Sequence, residues 1–564
     1  MSTVSHEPRR PSLILSIGVF LAIAALIAAA VLVWETDIHI VLIMGALLAG
    51  IIGVFYLGYD YLTIEKGVID GIMVGMQACL ILYTVGPLIG TWICSGVVPS
   101  MIYYGLSILS PSIFLFATLF ICSIVSLATG TSWGTSGTVG IALLGIAMGL
   151  GIPAPVTAGI IISGAYFGDK MSPLSDTTNL APGVAGTDLF QHIRAMCWTT
   201  GPTYVIVVVI TLVIGSRYAG GTLDYAKIEA IQSIIAAEFW VSPITLIAPI
   251  AVIALSAMRK PALPALWVGI FISVVFALVE GVNFGDILNI MQNGYVPVLS
   301  AEIAGAAEDA AALAKVLSEN SISIDPKVAV EAANDIVSLM ERGGLQSMNW
   351  TISLILCAFT FGSTMDACGF LKVMLEAIMK PIKSVGGMIT AVIMSCFVCD
   401  IFLGDQYLSI AMPGTMFKSA FDKSGLHPRM LSRSLEDAGT LLSVLIPWNT
   451  CGAYHTGVLG VPTFQYLPYA FLNYLNPIVA IVMTYMGIGI FWRGKNGEPV
   501  RGGKTRPADL VYRRPLPALR DNKDINTPQS GALFVGDPPL LTFLEEGAAL
   551  FAVCLTTPLR ITCK

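Results

Sequence analysis

Apolar runs of bilayer-spanning length recur along almost the whole chain, and they constrain the fold more than any other feature. Ser12–Trp34 and Asp37–Tyr59 are the first two runs, and Tyr466–Trp492 is the last. A transmembrane helix needs about 20 consecutive, mainly apolar residues. Only 12% of the 564 residues are charged, whereas a soluble domain carries about 25%, and the mean hydropathy is +0.79. The sequence therefore predicts an all-α polytopic membrane protein.

The spacing of these runs divides the chain into two membrane-embedded halves, with polar segments between and after them. The polar insertion 281–346 is Ala-rich, and its apolar residues recur at helical spacing, which predicts a helical hairpin outside the membrane. His6, Arg9 and Arg10 precede the first run, which favours a cytoplasmic N-terminus. The expected segments are 1–11 (cytoplasmic N-terminus), 12–218 (first transmembrane half), 219–240 (surface connector), 241–493 (second transmembrane half, including the insertion) and 494–564 (polar, disordered cytoplasmic tail).

Two polar segments interrupted by Gly or Pro lie inside the apolar sequence of the first half. The first is Thr131–Thr138, and the second, Gly168–Ala181, contains two carboxylates. Irregular backbone at membrane depth is tolerated only where it is buried in protein or lines a water-filled cavity. Ionisable residues there are costly, so such segments indicate an ion or substrate site by default.

A similar pair of breaks lies in the second half. Cys399–Gln406 is followed by Glu436–Thr440, which runs into Pro447–Gly452. The gap inside each pair is similar, at roughly three dozen residues. Corresponding interrupted segments in two halves are typical of secondary transporters. The pattern predicts two inverted-topology repeats with discontinuous or re-entrant helices.

The first-half breaks supply carboxylate and hydroxyl oxygens, which are the ligands that hard cations such as Na⁺ prefer. Asp169 and Asp176 flank a loop in which Pro173 disfavours a continuous helix. A desolvated carboxylate also holds its proton more tightly, so one carboxylate can bind either a proton or a cation. The candidate ion-binding residues of this half are Ser132, Thr135, Asp169, Ser175, Asp176, Thr177, Thr178 and Asn179.

The second-half breaks add a smaller set, because half-helix termini present free backbone groups and capping side chains to ions. Each candidate has a structural alternative. Lys170 can neutralise Asp169, the pair Glu436–Asp437 can cap a helix, and small hydroxyl residues can join helices. The candidates of this half are Asp405, Asp437, Asn449 and Thr450, and the expected direct Na⁺ ligands are Asp176, Thr177 and Asn449.

Enzyme motifs are weak or missing in this sequence. The segment Gly503–Thr505 resembles the end of a phosphate-binding loop, but Glu498 stands where the motif needs Gly. Neither H-E-x-x-H nor G-x-S-x-G occurs, and the 11 cysteines show no metal-ligand spacing. We therefore expect no enzymatic activity and no cofactor, and an ion gradient must drive any transport.

At these breaks the chain resembles the NhaC family of Na⁺/H⁺ antiporters, which is part of a larger ion-transporter superfamily. The resemblance extends from about Pro11 to Trp492, and its most specific part is Gly168–Ala181. The other matching stretches are Thr131–Thr138, Arg342–Leu345, Gly404–Tyr407 and Pro447–Thr450. The resemblance implies a multi-pass antiporter of the bacterial inner membrane, built from two inverted repeats.

The breaks and the resemblance together predict export of Na⁺ in exchange for H⁺. The family also includes exchangers that couple malate or lactate to Na⁺ and H⁺, so transport of small carboxylates is one alternative. Lys170 is the one evident cation for an anionic substrate. An ion channel is a second alternative, because Gly-rich broken helices also line pores. The expected partners are Na⁺, H⁺ and the lipid bilayer, with Li⁺ and a homodimer left open, and no nucleic acid.

Overall fold

The computed structural model describes residues 8–108, 110–218 and 225–507, which form a helical membrane protein. Eight helices there are long and apolar enough to cross a bilayer, or up to ten if each of two bent pairs is one span. The predicted all-α polytopic architecture with broken helices is thereby confirmed, apart from one two-stranded sheet. The predictions for residues 1–7 and 508–564 concern residues outside those described.

The first half consists of helices that Ser, Thr and Asp side chains cap at several N-termini, as such short polar side chains commonly do. Its third helix begins at Tyr61, earlier than the apolar run, because Asp60 accepts a hydrogen bond from the Thr63 backbone N–H. Its elements are α1 (Leu13–Leu32), α2 (His39–Ile51), a π-helix (Ile52–Leu57), α3 (Tyr61–Cys94), α4 (Val97–Ile108), α5 (Pro111–Thr129), α6 (Ser132–Thr135), a π-helix (Ser136–Gly140), α7 (Ile141–Gly149), α8 (Ala154–Met171), α9 (Asp176–Ala185) and α10 (Leu189–Tyr218).

The region between the halves is helical almost throughout. Its elements are α11 (Tyr225–Glu238), a 3₁₀ turn (Pro243–Leu246), α12 (Ile247–Ala257), α13 (Ala262–Glu280), α14 (Phe284–Asn293), α15 (Val298–Gly305), α16 (Ala310–Glu319) and α17 (Pro326–Met340). The expected surface connector 219–240 contains α11, which buries Ile231 and Ile234 and packs against α4 and α17. The predicted hairpin within 281–346 consists of four helices, α14 to α17, and its position outside the membrane stays a prediction.

The second half ends in a small sheet. Its elements are a 3₁₀ turn (Leu345–Met348), α18 (Asn349–Ala367), α19 (Phe370–Met379), α20 (Val385–Leu403), α21 (Gln406–Ser424), α22 (Pro428–Leu435), a π-helix (Glu436–Thr440), 3₁₀ turns (Ser443–Leu445 and Leu467–Tyr469), α23 (Thr450–Leu459), α24 (Thr463–Tyr466), α25 (Phe471–Met486), β1 (Ile490–Arg493) and β2 (Pro499–Gly502). The two strands pair antiparallel. The disorder expected from residue 494 onward is therefore wrong for β2, because its backbone hydrogen-bonds to β1.

The two halves repeat the same succession of structural elements in one constant register. Helix boundaries, caps and left-handed glycines between Ser110 and Gly186 have counterparts 274 positions later. The matching pairs are the helices α5 and α20, both 19 residues long, the left-handed glycines Gly130 and Gly404, Gly151 and Gly425, and Gly186 and Gly460, the N-caps Thr131 and Asp405, and Ser175 and Asn449, and the helices α9 and α23. This register supports the predicted repeat, whereas the inversion of one half relative to the other stays a prediction.

Close packing of α5 against α8 holds the first break in place. A Cβ atom on Gly168 would lie 2.6 Å from Ser126 Cβ, so only glycine permits this approach. Ser126 also donates a hydrogen bond of 2.5 Å to the Ala165 carbonyl of the facing helix. Small residues that bring helix backbones together are the usual means of helix association in membranes. The contact fixes the C-terminal turn of α8, which carries two of the charged residues described below.

Candidate functional site

The first break places the Asp169 carboxylate against the start of a helix. Gly130 ends α5 with a left-handed φ of 71°, and Thr131 caps the helix that follows. The backbone N–H and the hydroxyl of Ser132 then donate to Asp169 Oδ2 at 3.0 and 2.6 Å. The positive end of a helix favours a neighbouring negative charge. The break therefore stabilises a carboxylate that lies in the last turn of α8 and is almost completely buried.

The second break also presents a carboxylate, at the position that corresponds to the cap Thr131 of the first break. Asp405 caps α21, and its Oδ1 accepts the backbone N–H groups of Tyr407 and Leu408 at 2.9 and 3.1 Å. Asn449 caps α23 and donates through Nδ2 to the Asp400 backbone carbonyl at 3.1 Å. Two capping side chains with oxygen acceptors thus meet at this break, beside the last turn of α20.

A buried ion pair joins the first half to the second. Lys170 Nζ lies 2.8 Å from Asp437 Oδ1, and both side chains are completely buried. The same oxygen accepts the Thr199 hydroxyl at 3.0 Å and the Asn476 amide at 2.8 Å. Arg433 Nε lies 3.7 Å from the other oxygen, Oδ2. Asp437 is therefore held by two cations and two neutral donors, a degree of pairing that a buried carboxylate requires.

Glu436 lies next to this ion pair and faces the first half. Its Oε1 accepts the Thr177 hydroxyl at 3.0 Å, while Oε2 has no hydrogen-bond partner among the described residues. Glu436 interacts electrostatically with Lys170 and with Asp169. Three carboxylates, of Asp169, Glu436 and Asp437, thus share two buried cations. We call these five residues, Asp169, Lys170, Arg433, Glu436 and Asp437, the first acidic centre.

Asp400 and Asp405 form a second acidic centre with a different charge balance. Both side chains are buried, and the two carboxylates repel each other electrostatically. Asp400 Oδ1 lies 3.5 Å from Asn449 Nδ2, whereas Asp400 Oδ2 has no hydrogen-bond partner in the described part of the chain. Neither carboxylate takes part in any ion pair of the described residues. This centre therefore contains two acids and no basic side chain.

Tyr407 and Asp176 lie between the two centres. Tyr407 interacts electrostatically with Asp176, Asp405 and Asp169, so its phenol is close to carboxylates of both breaks. Asp176 begins α9, and its side chain is exposed at the surface of the chain, in contrast to that of Asp169. One acidic group of the breaks is thus accessible from outside the chain. The geometry suits an entry path for a hydrated ion.

The other predicted residues form hydrogen bonds within the break segments. Ser175 Oγ contacts Thr177 Oγ1 at 3.1 Å. Thr178 donates to the backbone carbonyls of Asp169 and Lys170 at 3.2 and 3.0 Å. The remaining hydrogen bonds run from Thr135 to Thr131 O, from Asn179 to Pro173 O and Ser175 O, and from Thr450 to Asn449 Oδ1. The three predicted Na⁺ ligands lie in different places. Thr177 donates to Glu436, Asn449 donates to Asp400, and Asp176 is exposed.

Several residues of the two centres are outside the set that the sequence predicts. Lys170 neutralises Asp437 rather than its neighbour Asp169, and Glu436 is an acceptor for Thr177 rather than a helix cap. Thr199 and Asn476 look like ordinary small polar residues within apolar runs, so no signal distinguishes them. Asp400, by contrast, is a carboxylate in the last turn before a break, and that position does carry a signal.

Comparison with known proteins decides the family. The sequence profile of the Na⁺/H⁺ antiporter family matches residues 164–319 and 298–488, which include both breaks of the second half and the second break of the first half. The chain belongs to the Na⁺/H⁺ antiporter family. The resemblance to the NhaC antiporters is thereby confirmed, and the two acidic centres lie in the part of the chain that Na⁺/H⁺ antiporter family members share with it.

Three relatives that are 32–38% identical to this chain carry different names. The Na⁺/H⁺ antiporter NhaC of Alkalihalophilus pseudofirmus is 38% identical over 85% of this chain and 96% of its own length. The malate-2H⁺/Na⁺-lactate antiporter of Bacillus subtilis is also 38% identical, over 87% of this chain and 98% of its own. The arginine/ornithine antiporter ArcD of Halobacterium salinarum is 32% identical, over 89% and 99%. Overall similarity therefore shows the family without deciding the transported substrate.

Proposed function

We propose that this protein exchanges Na⁺ for H⁺ across the bacterial inner membrane. The observation that carries the proposal is the second acidic centre, in which Asp400 and Asp405 are buried without a basic partner. A buried carboxylate needs a compensating charge or must take up a proton. Na⁺ and H⁺ are then alternative occupants of one centre, and mutually exclusive occupancy is what an antiporter requires.

The first acidic centre has a different role in this proposal. Lys170 and Arg433 neutralise Asp437, which leaves Asp169 and Glu436 to share any further cation or proton. The Ser132 hydroxyl donates to Asp169, and the Thr177 hydroxyl donates to Glu436. Both hydroxyl oxygens are suitable ligands for Na⁺. Asp176 supplies the exposed carboxylate through which a hydrated ion reaches the site.

The test is transport by the purified full-length protein in liposomes that contain a pH-sensitive dye. We expect an imposed Na⁺ gradient to drive H⁺ movement in wild type, and Asp400→Asn and Asp405→Asn to abolish it. Asp422→Asn is the matched control, because Asp422 is a surface carboxylate paired with Arg493. Undiminished exchange in both Asp400→Asn and Asp405→Asn would reject the proposed centre, and Na⁺ flux without H⁺ counterflow would indicate a channel.

Exchange of small carboxylates is the alternative that the Bacillus subtilis relative supports by its name. An anionic substrate needs a cation in the cavity. Lys170 is completely buried and bound to Asp437, so it offers no free charge to such a substrate. We therefore favour the inorganic exchange, and malate and lactate, together with Li⁺ and K⁺, belong in the same liposome assay as competing substrates.

We also infer that the N-terminus lies in the cytoplasm, because Arg9 and Arg10 stand directly before the first span. A cysteine placed at Ser12, at the start of α1, tests this orientation in right-side-out vesicles. A membrane-impermeant maleimide should leave this cysteine unlabelled, and rapid labelling would place the N-terminus outside. Crosslinking of the protein in native membranes tests the homodimer that the sequence leaves open.

A further inference from the structure

A buried arginine at the start of α22 lies outside both acidic centres and has no anionic partner. Arg429 is 7% exposed, and its guanidinium carbon lies 3.5 Å from the centroid of the Phe491 ring. Among the described residues its guanidinium makes no ion pair and no side-chain hydrogen bond, and Nε is buried without a partner. A buried charge in this state needs a counter-ion from elsewhere.

Among the described residues, the charged groups that act most strongly on Arg429 are basic. Arg433 and Arg194 repel it electrostatically, and His427 is close enough to interact with it as well. Arg501 lies 4.3 Å above Trp198, whose ring meets that of Phe491 edge-on. Clustered arginines raise the local concentration of anions. Arg433 is paired with Asp437, whereas Arg429 and Arg194 form no ion pair among the described residues.

The contact with Phe491 determines which atoms of Arg429 remain for a ligand. The guanidinium carbon lies over the Phe491 ring, and the N–H groups remain for a ligand, since Nε has no partner among the described residues. These N–H groups form the fork that binds phosphate through two parallel hydrogen bonds. Lysine lacks this fork and binds phosphate only as a point charge.

We propose that Arg429, with Arg194 beside it, binds a phosphate-type anion, which is either inorganic phosphate or the headgroup of an anionic phospholipid. The site connects to the first acidic centre through Arg433, one helical turn further along α22. Arg433 Nη1 donates to the Gly489 carbonyl at 2.8 Å, and its Nε faces Asp437. A bound anion thus competes with Asp437 for the attraction of Arg433.

The experiment uses full-length protein in nanodiscs at constant ionic strength, with thermal unfolding as the readout. One arm titrates inorganic phosphate into discs of phosphatidylcholine, and the other raises the fraction of phosphatidylglycerol without phosphate. A ligand that binds the folded state raises the unfolding temperature in a saturable manner. We expect such a rise in one of the two arms, and the arm in which it occurs identifies the source of the anion.

Three variants connect the effect to Arg429. We expect Arg429→Gln to weaken anion binding about tenfold or more, since hydrogen bonds to charged groups contribute about 1.5–3 kcal/mol each. Arg429→Lys keeps the charge without the fork and should weaken it also. Arg493→Gln is the matched control, because Arg493 is already paired with Asp422 at 2.6 Å.

Two results would overturn the proposal. One is the lack of a saturable rise for wild type in both arms, which needs no variant at all. The other is wild-type affinity in Arg429→Lys, which would exclude bidentate binding even if Arg429→Gln fails to fold. Neither result bears on Na⁺/H⁺ exchange, which is measured separately.

Discussion

Lys170 and Asp437, which are 267 positions apart, form an ion pair of 2.8 Å in which both side chains are completely buried. The pair joins α8 of the first half to the π-helix that follows α22 of the second. In this pair Asp437 neutralises Lys170, which carries the positive charge nearest the first break. The carboxylates that remain for ions are consequently Asp169 and Glu436 on one side and Asp400 and Asp405 on the other.

We predict that loss of either partner of this pair strongly destabilises the protein. Removing one member of a buried pair leaves an uncompensated charge and costs about 3–5 kcal/mol. Lys170→Gln and Asp437→Asn should each lower the unfolding temperature of the solubilised protein. The double variant removes both charges, so its loss of stability should be smaller than the sum of the losses in the two single variants. Strictly additive losses in this cycle would contradict a direct interaction.

The two equivalent glycines at the breaks should respond differently to alanine. A Cβ on Gly130 would lie 2.7 Å from the Leu174 backbone carbonyl carbon and 2.9 Å from Ser175 N. A Cβ on Gly404 would have no neighbouring atom closer than 3.5 Å. A left-handed alanine costs about 1–2 kcal/mol. We expect Gly404→Ala to lower the free energy of unfolding by about this amount and Gly130→Ala to lower it further, as measured by thermal unfolding. Equal losses would indicate that the first break adjusts freely.

Asp405 has a structural role as a cap and a proposed role in ion binding, and two variants separate them. Asn caps a helix as well as Asp does, whereas Ala costs about 0.5–2 kcal/mol. We therefore predict that Asp405→Asn keeps wild-type stability but loses Na⁺-driven H⁺ movement, while Asp405→Ala loses both. A stable Asp405→Asn protein with normal exchange would leave Asp405 only its capping role.

Ser132 should tune the competition between Na⁺ and H⁺ at Asp169. Its hydroxyl donates to the carboxylate at 2.6 Å, and this bond favours the ionised form. In Ser132→Ala the carboxylate holds its proton more tightly, so we expect the half-saturating Na⁺ concentration to rise about tenfold. Thr138→Ala removes a hydroxyl that bonds only to backbone carbonyls of its own helix, and it should behave as wild type. An unchanged Na⁺ dependence in Ser132→Ala would exclude Asp169 from the site.

The positions of the breaks could be predicted because they follow from local chemistry. Gly130 and Gly404 supply the left-handed turn, and Thr131 or Asp405 follows directly as the cap. Polar residues of this kind inside apolar runs are visible in the sequence. The same reasoning selected Asp169 and Asp405, each of which accepts a backbone N–H hydrogen bond at its break.

The partners across the breaks could not be predicted, because they depend on how distant helices pack. Lys170 stands beside Asp169 in the sequence, and only the folded chain reveals that it faces Asp437 instead. Glu436 has the local character of a cap, and its contact with Thr177 arises from the approach of α9. The sheet escaped prediction because the apolar residues of β1 extend the last apolar run, and because charged residues and glycines surround β2.

The constant register of the two halves has a consequence for chain length. Between Ser110 and Gly186, and again between Ser384 and Gly460, the helix caps and left-handed glycines keep the same spacing. One extra residue in a helix turns everything after it by about 100°, so an insertion ahead of Asp169 would swing it away from Ser132. Spare length accumulates instead between these stretches, where α11 to α17 lie. Loop grafts and purification tags should therefore be placed within that intervening region.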